Sequence, residues 1–190
     1  MQRRVAIGMF LSAPVWTTTA CTHQPWCTAP LDARGYDNET RDYGVPPTND
    51  IHADDFQLPT PMTVDGATTV TTMEVRNLMI GTPPPVLIDV LGGVVTASLP
   101  GSVWIRGAGV GTSVDDPVQR RLAAALSPLT GGNLYRPLVF YCLSKTCWLS
   151  HNAAVRAVAM GYRAVYWYRG GRNAWLAAGL PLEPMRTVVL

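Results

Sequence analysis

Two short runs constrain the fold more than any other feature: Val86-Leu87-Ile88-Asp89-Val90 and Leu138-Val139-Phe140-Tyr141. Neither alternates apolar with polar residues, as a strand with one wet face would. Both therefore read as strands buried on two sides, the pattern of a parallel sheet with helices above and below. The remaining segments fit that plan. Residues 69–72 and 103–105 read as short strands and residues 164–168 as a longer one, with a turn at residues 98–102. Residues 73–79 read as a short helix. Asp116-Pro117 is an N-cap followed by proline at the first helical position, so a helix is expected from there through Leu126. Ala153, Ala154, Ala157 and Val158 share one face of a helix starting near Ser150. Residues 173–178 form a last helix, stopped by Gly179 and Pro181. The expected class is α/β, a mainly parallel sheet flanked by helices.

The start of the chain has a different character. Arg3 and Arg4 precede a mostly apolar stretch, and the small residues Thr18-Thr19-Ala20 offer a cleavage point. Residues 1–20 thus read as an export signal, too short to span a membrane. Cleavage there leaves Cys21 at the new N-terminus, where a lipid anchor attaches in lipoproteins, although Thr18 stands where such sites carry a large aliphatic residue. Residues 21–63 are rich in Pro, Asp, Thr and Asn, and read as an extended arm that either wraps the domain or stays mobile. Residues 64–184 form the domain, and residues 185–190 a tail. With 47% hydrophobic and 15% charged residues the chain is globular, and a net charge of +2 without a basic stripe argues against a nucleic-acid partner.

Four cysteines, Cys21, Cys27, Cys142 and Cys147, form two close pairs. Neither pair has the flanking His or Cys pattern of a zinc ribbon or knuckle, so no metal is assigned, and no cofactor. Two local dithiols are the simpler reading, and an exported protein can keep them bonded. Cys21 and Cys27 read equally as a structural or intermolecular disulfide and as residues without a role.

Cys142 directly follows a buried strand, at the sheet end where ligands of parallel α/β folds sit. Leu143, Ser144, Lys145, Thr146, Cys147 and Trp148 then lead into a helix N-terminus. Amides there converge on an anion and favour thiolate over thiol. This predicts a nucleophilic sulfur in an open bowl of N–H groups, with Lys145 adding positive charge.

The stretch from Leu138 to Leu182 resembles the second half of a rhodanese domain: the strand ending in Cys142, then Ser150, Ala153-Ala154, Gly161-Tyr162, Val165-Tyr166, Gly170-Gly171, Ala174-Trp175 and Ala178-Gly179-Leu180-Pro181-Leu182. Leu87-Ile88-Asp89-Val90 and Leu99-Pro100-Gly101-Ser102 resemble the first half. Arg34-Gly35-Tyr36, Phe140-Tyr141-Cys142-Leu143, Cys147-Trp148-Leu149-Ser150 and Val165-Tyr166-Trp167-Tyr168 are also similar to exported proteins associated with PQQ-dependent catabolism and named for a Cys-x-x-Cys-Trp motif. The resemblance implies a rhodanese-like fold and a small sulfur or thiol substrate. It also implies a periplasmic setting alongside a quinoprotein dehydrogenase or cytochrome.

The chain departs from both patterns. Four residues, not two, separate Cys142 from Cys147, and the arginine that commonly ends a rhodanese loop is absent. That loss counts against ordinary thiosulfate transfer. It makes Cys147 a candidate resolving thiol, able to close a disulfide if the loop brings the Cα atoms within about 7 Å. A non-catalytic accessory module binding a quinoprotein, cytochrome or redox cofactor is the alternative.

The other candidates divide between site and scaffold. Trp148 either shields the sulfur or packs on the sheet. Asp89 either orients the loop or bonds backbone amides at its strand end, and Arg106 either faces the loop or the solvent. His151 reads as a surface or capping histidine rather than a base. Trp104, Trp167, Tyr168 and Trp175 read as core or rim aromatics.

Overall fold

Successive residues of the central strands point into two separate cores, as strand geometry requires. Leu87, Val139, Tyr141 and Tyr168 face one side, while Ile88, Leu138, Phe140, Val165 and Trp167 face the other. A computed structural model describes residues 24–190. The expected leader, its cleavage point and Cys21 lie outside those residues.

The strands are β1 (Thr68–Thr69), β2 (Val86–Asp89), β3 (Ala97–Ser98), β4 (Val103–Trp104), β5 (Leu138–Tyr141), β6 (Val165–Tyr168), β7 (Glu183–Pro184) and β8 (Arg186–Thr187). The helices are α1 (Pro25–Thr28), α2 (Thr72–Met79), α3 (Pro117–Thr130), α4 (Trp148–Ala159) and α5 (Gly171–Ala177). Six strands form one sheet in the order β1-β6-β5-β2-β4-β8, and every pairing in it is parallel. β3 and β7 make a small antiparallel pair. The fold is the expected α/β arrangement. Leu122, Leu126, Ala153 and Ala157 of α3 and α4 cover one face of the sheet; Val75, Ala174 and Trp175 of α2 and α5 cover the other. Among the described residues no helix is long and apolar enough to cross a membrane.

Local chemistry explains most boundaries. Asp116 caps α3 as its composition predicts, accepting the amide of Gln119. α3 continues past Leu126 to Thr130 and carries Pro128 within it, until Gly131 at φ 62° closes it. The Asp116 carboxylate also holds Arg156 of α4 at 2.7 Å, and this guanidinium is fully buried. Strand character at residues 69–72 is shorter than expected because Thr71 turns to cap α2. Its side chain accepts the Glu74 amide and the Glu74 carboxylate accepts the Thr71 amide, a reciprocal capping box. Thr71→Ala is expected to lower stability by about 1 kcal/mol, read as a shift in the urea midpoint at constant slope. An unmoved midpoint means the box contributes nothing.

The arm, from residue 24 onward, wraps the domain. Cys27 is disulfide-bonded and packs with Trp26 against the α2 and α5 side. Further along, residues 37–60 cross the carboxyl ends of β5 and β6, where the site lies.

Candidate active site

β5 delivers Cys142 to the carboxyl edge of the sheet, and α4 begins at Trp148, earlier than the expected start near Ser150. Cys147 therefore occupies the N-cap position of α4. The two sulfurs are joined as a disulfide with Cα atoms 6.4 Å apart. The loop thus brings together the two cysteines that the sequence singles out.

Residues of α4 and α5 fix this loop from within the domain. Gly171, at φ 60°, passes so close that an added Cβ would lie 2.5 Å from the Cys142 carbonyl oxygen. Only glycine meets both conditions. The next two amides, of Arg172 and Asn173, donate to the carbonyls of Cys142 and Leu143 at 3.0 and 2.9 Å. Ser150 Oγ donates to the Cys147 carbonyl at 3.3 Å, accepts the Trp167 indole N–H at 3.0 Å, and lies 3.5 Å from Cys142 Sγ.

The open bowl of amides expected around the sulfur is not formed in this disulfide state. The Cys147 amide donates to Ser144 O and the Trp148 amide to Phe56 O of the arm. The Thr146 amide faces Ser144 Oγ. Cys142 and Cys147 are 1% and 2% exposed, within the apolar core on the α3 and α4 side. The physical reason is twofold: the loop turns its Thr146 and Cys147 amides inward onto Ser144, and the arm takes the Trp148 amide through the Phe56 carbonyl.

Lys145 is occupied in the same way. Its ammonium donates to the carbonyl oxygen of Asp37 at 2.5 Å and to its carboxylate at 2.9 Å. Trp148 is buried, sandwiched between His52 of the arm, stacked at 4.2 Å, and the edge of His151 at 4.7 Å. Leu143, Ser144 and Thr146 remain in the loop, with Ser144 and Thr146 hydroxyls 3.0 Å apart.

His151 is a correction to the surface placement. It is fully buried on the inner side of α4, edge-on to Trp148 and Trp167. Burial lowers its pKa to about 4, so the ring is neutral near pH 7. Trp167, Tyr168 and Trp175 are core aromatics.

Asp89 and Arg106 are not brought to the loop. Asp89 is fully buried at the end of β2, where it accepts Ser98 Oγ at 2.5 Å and the Leu91 amide at 2.9 Å. Burial raises its pKa despite those bonds. Ser98 Oγ in turn lies 3.0 Å from Tyr141 Oη. Arg106 lines a cleft with Trp104, Val110, Arg121 and the tail residues Val188 and Leu190 instead.

Sequence reasoning passes over Arg169, Thr60, Asp37, His52 and Asn152. Arg169 is 1% exposed just beyond β6, and a cation at a strand's carboxyl end was signal enough to consider it. The other four gain their places through long-range contacts. Asn152 Nδ2 donates to the carbonyls of His52 and Gly109, and Asn152 Oδ1 accepts the His52 amide. Among the described residues no cluster of three or more His, Cys, Asp or Glu side chains could hold a metal ion.

The family model for the rhodanese-like domain matches residues 71–178, which contain β2, β5, the disulfide loop and α4. The crystal structure of thiosulfate sulfurtransferase from Pseudomonas aeruginosa superposes with a TM-score of 0.47 at 19% sequence identity. That alignment covers 64% of this chain and 21% of the other, so the matched region spans about a fifth of that enzyme's chain. A search of curated proteins finds no match.

Proposed function

Because the chain belongs to the rhodanese-like domain family, we propose that it is a sulfurtransferase-type thiol protein in which Cys142 is the nucleophile and Cys147 resolves it. One observation carries the reading: the sulfur at the end of the central strand is bonded to a second cysteine in its own loop. A disulfide stabilises a fold more the longer the loop it closes, because it restrains the unfolded chain more. This one closes six residues at the sheet's ligand-binding edge.

The chemistry balances as a cycle. An external dithiol reduces Cys142–Cys147 and becomes a disulfide, leaving two thiols. The Cys142 thiolate attacks the outer sulfur of an anionic donor such as thiosulfate, forming a Cys142 persulfide and releasing sulfite. The Cys147 thiolate then attacks Cys142 Sγ, expels hydrosulfide and restores the disulfide. Two electrons from the dithiol reduce one sulfane sulfur to sulfide. Loop residues Leu143, Ser144, Lys145 and Thr146 bound the anion's approach, and Trp148 keeps water from the sulfur.

The setting is part of the proposal. The basic and apolar leader supports export, and the similarity to the Cys-x-x-Cys-Trp proteins supports a place beside PQQ-dependent alcohol oxidation, with a periplasmic quinoprotein or cytochrome as partner.

Mass spectrometry tests the chemistry. The reduced protein mixed with thiosulfate or polysulfide is expected to gain one sulfur atom on Cys142, then to lose it as hydrosulfide while the disulfide returns. No added sulfur with either donor overturns the reading. The near-complete burial of both sulfurs favours a second one, a non-catalytic module whose disulfide only holds a docking surface. Under it, Cys142→Ser retains a periplasmic partner and supports growth on alcohol as well as the parent does.

A further inference from the structure

The arm meets the disulfide loop and the end of β6 through Ile51, Phe56 and the His52–Trp148 stack and through hydrogen bonds, and several of those bonds fall on two cations, Lys145 and Arg169. Arg169 is nearly fully buried and forms no ion pair among the described residues. Its Nε donates to Thr60 Oγ1 at 3.0 Å. Its terminal nitrogens donate to the carbonyls of Thr60 at 3.0 Å, Glu39 at 3.0 Å and Arg41 at 2.9 Å. All of these acceptors are neutral oxygens of the arm. The Tyr43 ring of the arm lies 5.7 Å from Arg169 Cζ, and no carboxylate among the described residues pairs with it directly, although Asp42 acts on it from further off. The fork geometry of a guanidinium suits an oxyanion better than scattered carbonyls.

Thr60 joins this cation to the loop. Its amide and hydroxyl both donate to the Lys145 carbonyl, at 3.3 and 2.8 Å, while its hydroxyl accepts from Arg169. β5 and β6 are neighbours in register, Tyr141 opposite Tyr168, so Cys142 and Arg169 leave the sheet side by side. Lys145 meanwhile holds a carboxylate, that of Asp37. The arm thus supplies an anionic group to one cation and carbonyl oxygens to the other.

We propose that Arg169 and Lys145 form the binding site for the oxyanion end of an anionic sulfur donor, that residues 37–60 fill this site in the disulfide form, and that reduction of Cys142–Cys147 releases them. The inference rests on the reading that Cys142 is the nucleophile.

The coupling is steric. Reduction takes two electrons and two protons from an external dithiol and leaves two thiols, which cannot stay at bonding distance. Both sulfurs sit in close-packed surroundings with almost no exposure, so the displacement passes into the loop. The Lys145 carbonyl that anchors Thr60 lies inside the ring that the disulfide closes, and the Trp148 amide that anchors Phe56 lies next to it. Loosening the ring removes both anchors. The reductant reaches the buried sulfurs through transient opening of the arm, a local event that breaks these hydrogen bonds and the His52–Trp148 stack.

Two measurements on the full chain test this. Amide exchange at His52, Thr60 and Trp148 is expected to be at least about tenfold faster in the reduced protein than in the disulfide form. Sulfate, titrated as the probe and followed by NMR, is expected to bind the Cys142→Ser/Cys147→Ser double variant and not the disulfide form. Adding Arg169→Met to the double variant removes that binding. If Arg169→Met does not fold, Asp37→Asn added to the double variant serves in its place. It removes the carboxylate that competes for the Lys145 ammonium and is expected to raise the sulfate affinity of the double variant several-fold, and an unchanged affinity counts against the site. Equal exchange in the two redox states, or equal sulfate binding by the disulfide form and the double variant, overturns the proposal. The double variant cannot carry sulfur, so its result is independent of whether Cys142 ever does.

Discussion

Cys142→Ser is expected to slow sulfur release from a sulfane donor by a factor on the order of 10⁴ or more, because a serine hydroxyl at neutral pH is no substitute for a thiolate nucleophile. Cys147→Ser is expected to split the cycle instead. The persulfide still forms on Cys142, at a rate within about tenfold of the parent's, but no neighbouring thiolate displaces hydrosulfide from it. The persulfide accumulates and waits for an external thiol. The asymmetry follows from position. Cys142 ends a strand held on both sides by β2 and β6, and its carbonyl is tied to Arg172. Cys147 is the N-cap of α4, and its side chain makes no bond that holds the helix start. Stopped-flow detection of hydrosulfide with mass analysis of the trapped protein separates the two variants. If both lose the first sulfur addition equally, the division of roles is wrong. If neither changes turnover, the cysteines are structural.

The architecture was legible because it is written locally. Leu138 to Tyr141 is apolar on both strand faces, and the structure puts Val139 and Tyr141 in one core and Leu138 and Phe140 in the other. Asp116-Pro117 marks a helix start with two independent signals, and both act as expected. The position of Cys142 after a buried strand identified the loop for the same reason. What the sequence concealed is long-range. Asp37 and Lys145 meet across 108 residues, and Arg169 meets the Glu39 carbonyl across 130. No periodicity reports such a contact, and an arm rich in Pro, Asp and Thr carries no face that declares what it will cover. The closed bowl has the same origin in part: the arm occupies Lys145 and the Trp148 amide, while Ser144 takes the Thr146 and Cys147 amides from within the loop. His151 was misplaced by a different route. A histidine in the first turn of a helix suggests solvent or a cap, but Trp148 and Trp167 converge on it from its own helix and from β6.

That buried ring makes the protein acid-sensitive in a definite window. His151 titrates near pH 4 in the folded protein, against 6.5 for the free side chain. The chief cause is loss of solvent; His52 adds to it, while the Asn152 side chain and the Thr48 backbone oppose it. Because the folded value is depressed, the unfolded chain binds the proton first. Stability from this residue is therefore complete above about pH 6.5 and falls as pH drops toward 4, at about 1.4 kcal/mol per pH unit and about 3 kcal/mol in all. Other groups act in the same range. The Asp116 carboxyl is held low by Arg156 and also loses stability in acid, whereas burial raises Glu39 and Asp89, which favour the folded state in acid and lose that contribution as pH rises. All three are common to the parent and to a His151→Phe variant, so the difference between the two proteins isolates the ring. Urea unfolding with the disulfide intact, repeated from pH 7.5 to 4, is expected to show a parent-minus-variant difference that is flat above pH 6.5 and declines below it. A difference that stays constant across that range would mean the imidazole is protonated with little penalty, and that α4 opens to water beneath Trp148 far more readily than its packing implies.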